Sequence, residues 1–333
     1  MNSFSIILPV YNGGEYVKTC VRSLLAQTFT DYNIIVLDNC STDGTRQWLL
    51  SLKDPKISVI TSERKLSITE NWGRIKDIEK NAFMTMIGHD DVLLPEYLSV
   101  MNALINEQPS ASLYQAHFDF IDSNGNHIKP CRPMPVKMDA AGFLNAQLTR
   151  TMDSMGTGYM MRSADYDRLG GIPANYPNLI FADYALWMML TEQSYLAISK
   201  QTAFQYRLHD SVSKVTNGED YQRAFFMYLD FLKDRMQQSD SINKAFHTNG
   251  HEYLMYFCES LSHRILKTPA ERREVTVRSF IDQCKAYSSE MLPGQAFEPL
   301  KKRRISLALW FDKNALRRSA FKIIKQMTLF FDR

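Results

Sequence analysis

Apolar residues fall into runs of strand length over the first 120 positions. "FSIILPV", "NIIVLD", "ISVIT" and "FMTMIG" are near-continuous, as expected of strands in a parallel sheet covered on both faces. Between the first two, Val17, Cys20, Val21, Leu24 and Leu25 recur at i, i+3, i+4, i+7 and i+8, the stripe of an amphipathic helix. A second helical stretch runs along "ENWGRIKDIEK" and a third begins after Pro95 with "EYLSVMNALINE". Strands alternating with helices predict βαβ units and an open, doubly wound α/β sheet. Such sheets bind ligands at the carboxyl ends of their strands, where the strand order reverses.

Beyond residue 110 the pattern changes. "SLYQAHFDFID", the turn "SNGN" and then "HIK" predict a β-hairpin. "GTGYMMRS", "YLAIS" and "TAFQYRLH" predict further strands, with a helix at "DYALWMMLTEQ". From about Gly218 the pattern is helical to the end, broken at Pro269, Pro293 and Pro299. The expected boundary therefore falls between an α/β region, 1–215, and a helical C-terminal region, 216–333.

A chain of 333 residues that is 45% hydrophobic can bury a substantial core. The N-terminal "MNSFSIILPV" has no basic leader and its apolar run stops at Pro9, so it reads as a first strand and not a signal peptide. No window approaches a membrane span. Five scattered cysteines, without CxxC spacing, argue against a disulfide framework or zinc site and for the reducing cytoplasm. The net charge of +3 hides an asymmetry. Residues 301–333 hold ten Lys or Arg and two Asp, so a tail of +8 follows 300 residues carrying −5.

Four polar clusters sit at predicted strand ends. In "PVYNGG", Tyr11 can stack on a flat base and the glycines let backbone approach a ligand; an ordinary βα turn accounts for the segment equally well. In "VLDNCSTDGT", Asp38 can accept from a base N–H or a ribose hydroxyl, whereas Asp43 fits turn chemistry. "GHDDVLLPEYL" places Asp90 and Asp91 side by side behind an apolar run. Paired carboxylates there suit a hard cation, Mn²⁺ or Mg²⁺, shared with a substrate's phosphates. A helix start accounts for one acid, but hardly for both together with His89. The fourth cluster is "FADYALWMML" with "YRLHDSVS", where Asp183 is either an N-cap or a general base.

In this order the clusters resemble the family 2 glycosyltransferases, the inverting family with the GT-A fold. "SIILPVYNGGEYVKTCVRSLLAQTFTDYNIIVLDNCSTDGT" matches its opening block, "GHDDVLLPEYL" its DxD region, "GTGYMMRSADYDRLGGIP" its acceptor-side strand, "FADYALWMML" its ED motif and "YRLHDSVS" the segment after it. The likeness covers roughly residues 3–215. It implies a Rossmann-like, mostly parallel mixed sheet flanked by helices, with 1–100 as the nucleotide-sugar half and 101–215 as the acceptor half. It also implies a sugar-nucleotide donor, UDP-linked by preference, and a glycan or lipid-linked glycan acceptor in surface polysaccharide synthesis.

Carried over by position, the resemblance puts Pro9, Tyr11, Asn12, Asp38 and Asp90 in the nucleotide site. Asp91, Arg207 and His209 would face the donor sugar or diphosphate, and Asp90, Asp91 and His209 the metal. Asp183 would be the general base. Two positions depart from the pattern: Gly88 replaces the first acid of DxD, and Ala182 replaces the Glu of the ED motif.

The tail is read in two ways. "ALRRSAFKIIKQMTLFF" places Leu316, Ala320, Ile323, Ile324, Met327 and Phe330 on one side of a helix, with Arg317, Arg318, Lys322 and Lys325 elsewhere and "KKRR" upstream. It either lies on an anionic membrane, peripheral on the inner face of the plasma membrane, or packs on its own domain or a second subunit of a homo-oligomer. A nucleic-acid partner is not expected, since no aromatic-interleaved groove accompanies the charge. A sugar-nucleotide pyrophosphorylase would need an Arg in the loop after the first strand, and "PVYNGGEY" has none. A non-catalytic nucleotide- or glycan-binding protein of the same fold is the other alternative, with Gly88 and Ala182 as its hints.

Overall fold

The structure is a computed structural model that describes residues 2–209, 216–268 and 274–331, with side chains described to Ile323 in the last helix. The chain divides into two compact units, Met1–Ser211 and Val212–Arg333.

The first unit opens with β1 (Phe4–Val10), α1 (Gly14–Leu25), β2 (Tyr32–Asp38), α2 (Thr45–Ser51), β3 (Ile57–Thr61), α3 (Ile68–Gly73), β4 (Phe83–Met86), β5 (Val92–Leu93) and α4 (Tyr97–Glu107). It continues through β6 (Leu113–Ile121), β7 (His127–Pro130), β8 (Lys137–Met138), α5 (Ala140–Thr149), β9 (Tyr159–Arg162), α6 (Ser163–Arg168), α7 (Ala182–Gln193) and β10 (Leu196–Arg207). One sheet results, in the order β3-β2-β1-β4-β9-β6-β10-β5, with β7 on β6 and β8 on β10.

Every residue of β1 is buried, because β2 and β4 flank it in parallel and helices cover both faces. Pro9 is tolerated in so central a strand for a local reason. Ile7 C=O receives the last bond from the β4 side, from Ile87 N–H at 3.0 Å, and Val10 C=O bonds Asn39 on the β2 side. By this alternation the missing Pro9 donor falls where β4 has already ended. The edge strand β3 is only half covered, unlike the two-sided burial that its apolar run suggests. Since β9 is antiparallel to both β4 and β6, strands β1, β2, β3, β4, β6 and β10 share one direction. The order reverses between β1 and β4, which opens a crevice at their carboxyl ends.

Two expectations change. The stretch "ENWGRIKDIEK" forms only the short α3, started by a Ser67/Glu70 capping box and passing at Gly73 into a 3₁₀ turn, Arg74–Asp77. "YLAIS" and "TAFQYRLH" are one strand, because two register shifts in β10, around Thr202, absorb the exposed Lys200 and Gln201. Gly158 is required just before β9. Its φ is +79° and a Cβ there would lie 2.6 Å from the Phe204 ring.

The second unit contains α8 (Gly218–Gln238), α9 (Asp240–Lys267), α10 (Val277–Met291), α11 (Arg303–Phe311) and α12 (Ala315–Phe331). Asn217, Ser239 and Thr276 cap the first three by accepting backbone N–H groups of the first turn. Phe225, Phe246, Tyr253, Leu254, Cys258, Phe280 and Cys284 fill its core. The buried Asp312, after α11, accepts from Val277 N–H at 2.7 Å at the start of α10. Pro293 follows the end of α10 and Pro299 opens a 3₁₀ turn, while Pro269 lies outside the described residues. So do the side chains of Ile324, Lys325, Met327 and Phe330. Among the described residues no helix is long and apolar enough to cross a membrane.

Candidate active site

The β1–α1 loop, Tyr11–Gly13, and the turn Gly88–Asp91 after β4 face each other across the crevice where the strand order reverses. The β1–α1 loop is tied to the loop after β2. Asn12 N–H donates to Ser41 Oγ at 3.0 Å, Asn12 Oδ1 accepts from Thr42 N–H at 2.8 Å, and Gly13 N–H donates to Thr45 Oγ1 at 3.1 Å. Asp38 is fully buried and its oxygens accept from Ser41 N–H at 3.3 and 3.4 Å. Asn12 and Asp38, expected on the nucleotide, are thus engaged in shaping the two loops. Tyr11 is more open, with Lys65 Nζ 4.3 Å from its ring centroid. Arg74 Nη1 lies 3.5 Å from Asp38 C=O and donates to Asn71 Oδ1 at 3.0 Å.

His89 joins this loop to the acidic turn. Its ring bonds the Pro9 carbonyl, the group left facing the end of β4, and packs against Gly13. Burial lowers its pKa, which the Asp90 charge only partly offsets.

The two aspartates have opposite fates. Asp91 is 2% exposed. Its Oδ1 accepts from Arg207 N–H at 2.9 Å and its Oδ2 from the Thr157 hydroxyl at 2.7 Å. Burial, then the Asp90 charge, raise its pKa to about 8. Asp90 is part-exposed and pairs with His209 Nε2. The repulsion of the pair is therefore relieved inside the fold: Asp91 is turned inward, and Asp90 alone presents charge. Gly88 makes this possible, since a Cβ there would sit 2.5 Å from Asp90 Oδ1 and 3.4 Å from Asp91 Oδ2. The space of the absent first acid is taken by the other two carboxylates.

Arg207, expected on the diphosphate, is 5% exposed. Its Nε donates to Asp90 C=O at 2.7 Å and its Nη1 to Asp122 C=O at 2.9 Å. The guanidinium thereby braces the acidic turn against the β6–β7 hairpin. Tyr16, from α1, lies beneath it at 4.8 Å, stands 5.5 Å from the His209 ring and donates its hydroxyl to Ser123 C=O at 3.2 Å.

Asp183 comes from the other side. The chain enters α7 through left-handed backbone at Asn178, Leu179 and Phe181, which is costly for Leu and Phe. Asp183 Oδ1 accepts from Tyr184 N–H at 2.9 Å. Some of its surface reaches solvent, yet protein atoms crowd it, and this desolvation raises its pKa to about 6 despite the helix N-terminus. The loop before β9 connects it to the acidic turn. A Cβ on Gly156 would lie 3.4 Å from Asp183 Oδ2, and the next residue, Thr157, bonds Asp91. Trp187 Nε1, one turn along α7, donates to Met155 C=O at 3.0 Å and fixes the same loop. Tyr206 feels all three carboxylates, its pKa raised by burial and by the charges of Asp91, Asp90 and Asp183.

The acids named from sequence are thus brought to one crevice, together with Tyr16, Lys65, Arg74, Thr157 and Tyr206, which the sequence reading did not name. Only Thr157 carried a signal, as a hydroxyl between two glycines at the head of an apolar strand. Among the described residues no cluster of three or more His, Cys, Asp or Glu forms a metal-ligand set. The donor set that reaches the cleft is Asp90 with His209. One carboxylate and one imidazole fit a divalent cation that takes its remaining ligands from phosphates and water.

Comparison with known proteins bears on this geometry. Residues 5–169 match the model of Glycosyl transferase family 2. The chain belongs to that family. Its relatives include an uncharacterized glycosyltransferase of Rickettsia conorii, 25% identical over 246 residues, covering 70% of this chain and 39% of the relative. Another is the Escherichia coli UDP-Glc:alpha-D-GlcNAc-diphosphoundecaprenol beta-1,3-glucosyltransferase WfgD, 22% identical over 232 residues, covering 69% and 87%. The chain spans about two fifths of the length of the Rickettsia relative and of the Streptococcus pneumoniae glycosyltransferase GlyG, at 39% and 41%. Among solved structures it is similar to Staphylococcus aureus TarS 1-349 in complex with UDP-GlcNAc, with a TM-score of 0.57, 16% identity and coverage of 87% and 89%. That likeness establishes the GT-A fold of this family 2 chain.

Proposed function

We propose that this family 2 chain transfers a sugar from a nucleoside-diphosphate sugar, a UDP-sugar first of all, to a hydroxyl of a glycan or lipid-linked glycan, with inversion, in surface polysaccharide synthesis. The observation that carries the reading is Asp183, a half-buried carboxylate raised to about 6 by the protein atoms crowded around it, across the Gly156–Thr157 loop from the Asp90–His209 pair. A carboxylate so tuned is ionised at neutral pH yet basic enough to take a hydroxyl proton. The uridine diphosphate donor is supported by the names of WfgD and of the TarS complex.

In the proposed displacement the acceptor oxygen forms a bond to the anomeric carbon as the bond from that carbon to the diphosphate oxygen breaks. The acceptor proton goes to Asp183 and the electron pair leaves with the nucleoside diphosphate. Tyr11 stacks on the base, with Asn12, Asp38 and the Pro9 backbone shaping its pocket. Asp90 and His209 would hold Mn²⁺ or Mg²⁺, which when bound supplies positive charge to the departing diphosphate. Asp91, Thr157 and Arg207 position Asp90.

Release of UDP from UDP-glucose and UDP-GlcNAc, with Mn²⁺ and with EDTA, tests the reading. Mn²⁺-dependent release that Asp183→Asn abolishes supports it. Binding of UDP without any release would favour instead the non-catalytic reading that Gly88 and Ala182 suggest.

A further inference from the structure

Among the described residues of the second unit, the large apolar side chains that are exposed, Tyr256 apart, gather between Leu300 and Ile323. Along α11, Ile305 and Ala308 are buried, whereas Leu307 and Trp310 are exposed. Arg303 shares their side at i, i+4, i+7 spacing. Along α12, Phe321 is buried and Leu316, Ala320 and Ile323 form the opposite stripe, with Leu316 84% exposed. The Arg317 guanidinium lies 4.3 Å from the Trp310 ring centroid, which joins α12 to the outward side of α11. A helix packed by its apolar stripe would hide Leu316 and Ile323; this one shows them.

Cations surround the stripe. Lys301, Lys302, Arg303 and Arg304 are exposed at the head of α11 and Lys313 between the helices. Glu298 and Glu259 pair with Lys301 and Arg304. The one acid within residues 301–323, Asp312, is buried and bonded to Val277 and Arg318.

We propose that the α11–α12 face docks on an anionic lipid bilayer. Leu307, Trp310, Leu316 and Ile323 enter the boundary between headgroups and acyl chains, while Lys302, Arg303 and Lys313 meet lipid phosphates. Charge selects this occupant. A second copy docked face to face would bring a like-charged +8 segment against the first, whereas an anionic leaflet complements it.

The test is co-sedimentation of the full chain with vesicles of three parts phosphatidylcholine to one part phosphatidylglycerol, beside pure phosphatidylcholine. The chain is expected to bind the anionic vesicles, and salt to weaken that binding. Lys302→Glu/Arg303→Glu should weaken it more than tenfold, at about fivefold for each cation removed. Leu316→Ser/Ile323→Ser, at exposed positions that leave the core intact, should weaken it about tenfold or more. Leu50→Ser, an exposed leucine of the first unit, should leave it unchanged. Equal binding of both double variants and the unsubstituted chain, or no binding to either vesicle, overturns the proposal. So does an oligomer that dissociates on Leu316→Ser/Ile323→Ser while vesicle binding persists.

Discussion

Asp183→Asn separates function from stability in one residue. The unfolded chain holds an aspartate near its ordinary pKa, about 3.9, and the fold raises Asp183 to about 6. At ~1.36 kcal/mol per pH unit, the ionised side chain costs the folded state about 3 kcal/mol at a pH above both values. A raised carboxyl pKa means that stability is fully present below the unfolded value and lost as pH rises through the folded one. Asparagine keeps the shape and can still accept from Tyr184 N–H, but it carries no charge. At about pH 8 the variant should therefore be more stable by up to about 3 kcal/mol, and at about pH 4 the two proteins should melt alike.

For a domain of this size that is a rise in Tm of ~2–4 °C per kcal/mol, followed by calorimetry at both pH values. The same substitution should slow UDP release about 10²- to 10⁴-fold. In the unsubstituted chain the rate should climb with pH and level off above about 6, as the base ionises. A variant that releases UDP at the original rate, or a melting difference that does not change with pH, would refute the reasoning.

Other substitutions probe the acidic turn. Asp90→Ala should weaken Mn²⁺-dependent UDP binding more than tenfold in calorimetry while leaving binding without metal nearly unchanged; an unaltered response to Mn²⁺ counts against Asp90 as a ligand. Gly88→Asp restores the family's usual acid, but its Cβ meets Asp90 Oδ1 at 2.5 Å, so the Asp90 carboxylate must turn away from His209 and Mn²⁺-dependent UDP release should fall; a gain in activity would show that the space is free. Thr157→Val keeps the shape and removes the hydroxyl donated to Asp91 Oδ2, so urea unfolding should reveal a loss of about 1–3 kcal/mol; no change would show that this oxygen does not need the hydroxyl.

Much of the first unit was legible because its signals are local. The apolar runs that became β1, β2, β3 and β4, and the stripe that became α1, are patterns of adjacent residues, and the Asn-Gly turn announced the β6–β7 hairpin. What escaped depends on distant partners. That "YLAIS" and "TAFQYRLH" form one strand follows from pairing with β6, some 80 residues earlier. The shortness of α3 follows from Gly73 and the 3₁₀ turn after it, which a 3.6-residue period does not register.

The acidic turn shows the same limit inside the site. Asp90 and Asp91 are indistinguishable in sequence, since both follow an apolar strand and precede a helix. Their roles are separated by partners from elsewhere: Thr157 and the Arg207 backbone turn Asp91 inward, and His209 takes Asp90 outward. Gly88 gains its meaning from this division. An acid there would have to displace Asp90, so its absence accompanies a turn in which one carboxylate is structural and one is displayed. Under the proposed function a divalent cation would meet a single aspartate and a histidine, and the loop that carries Thr157 links their position to that of Asp183.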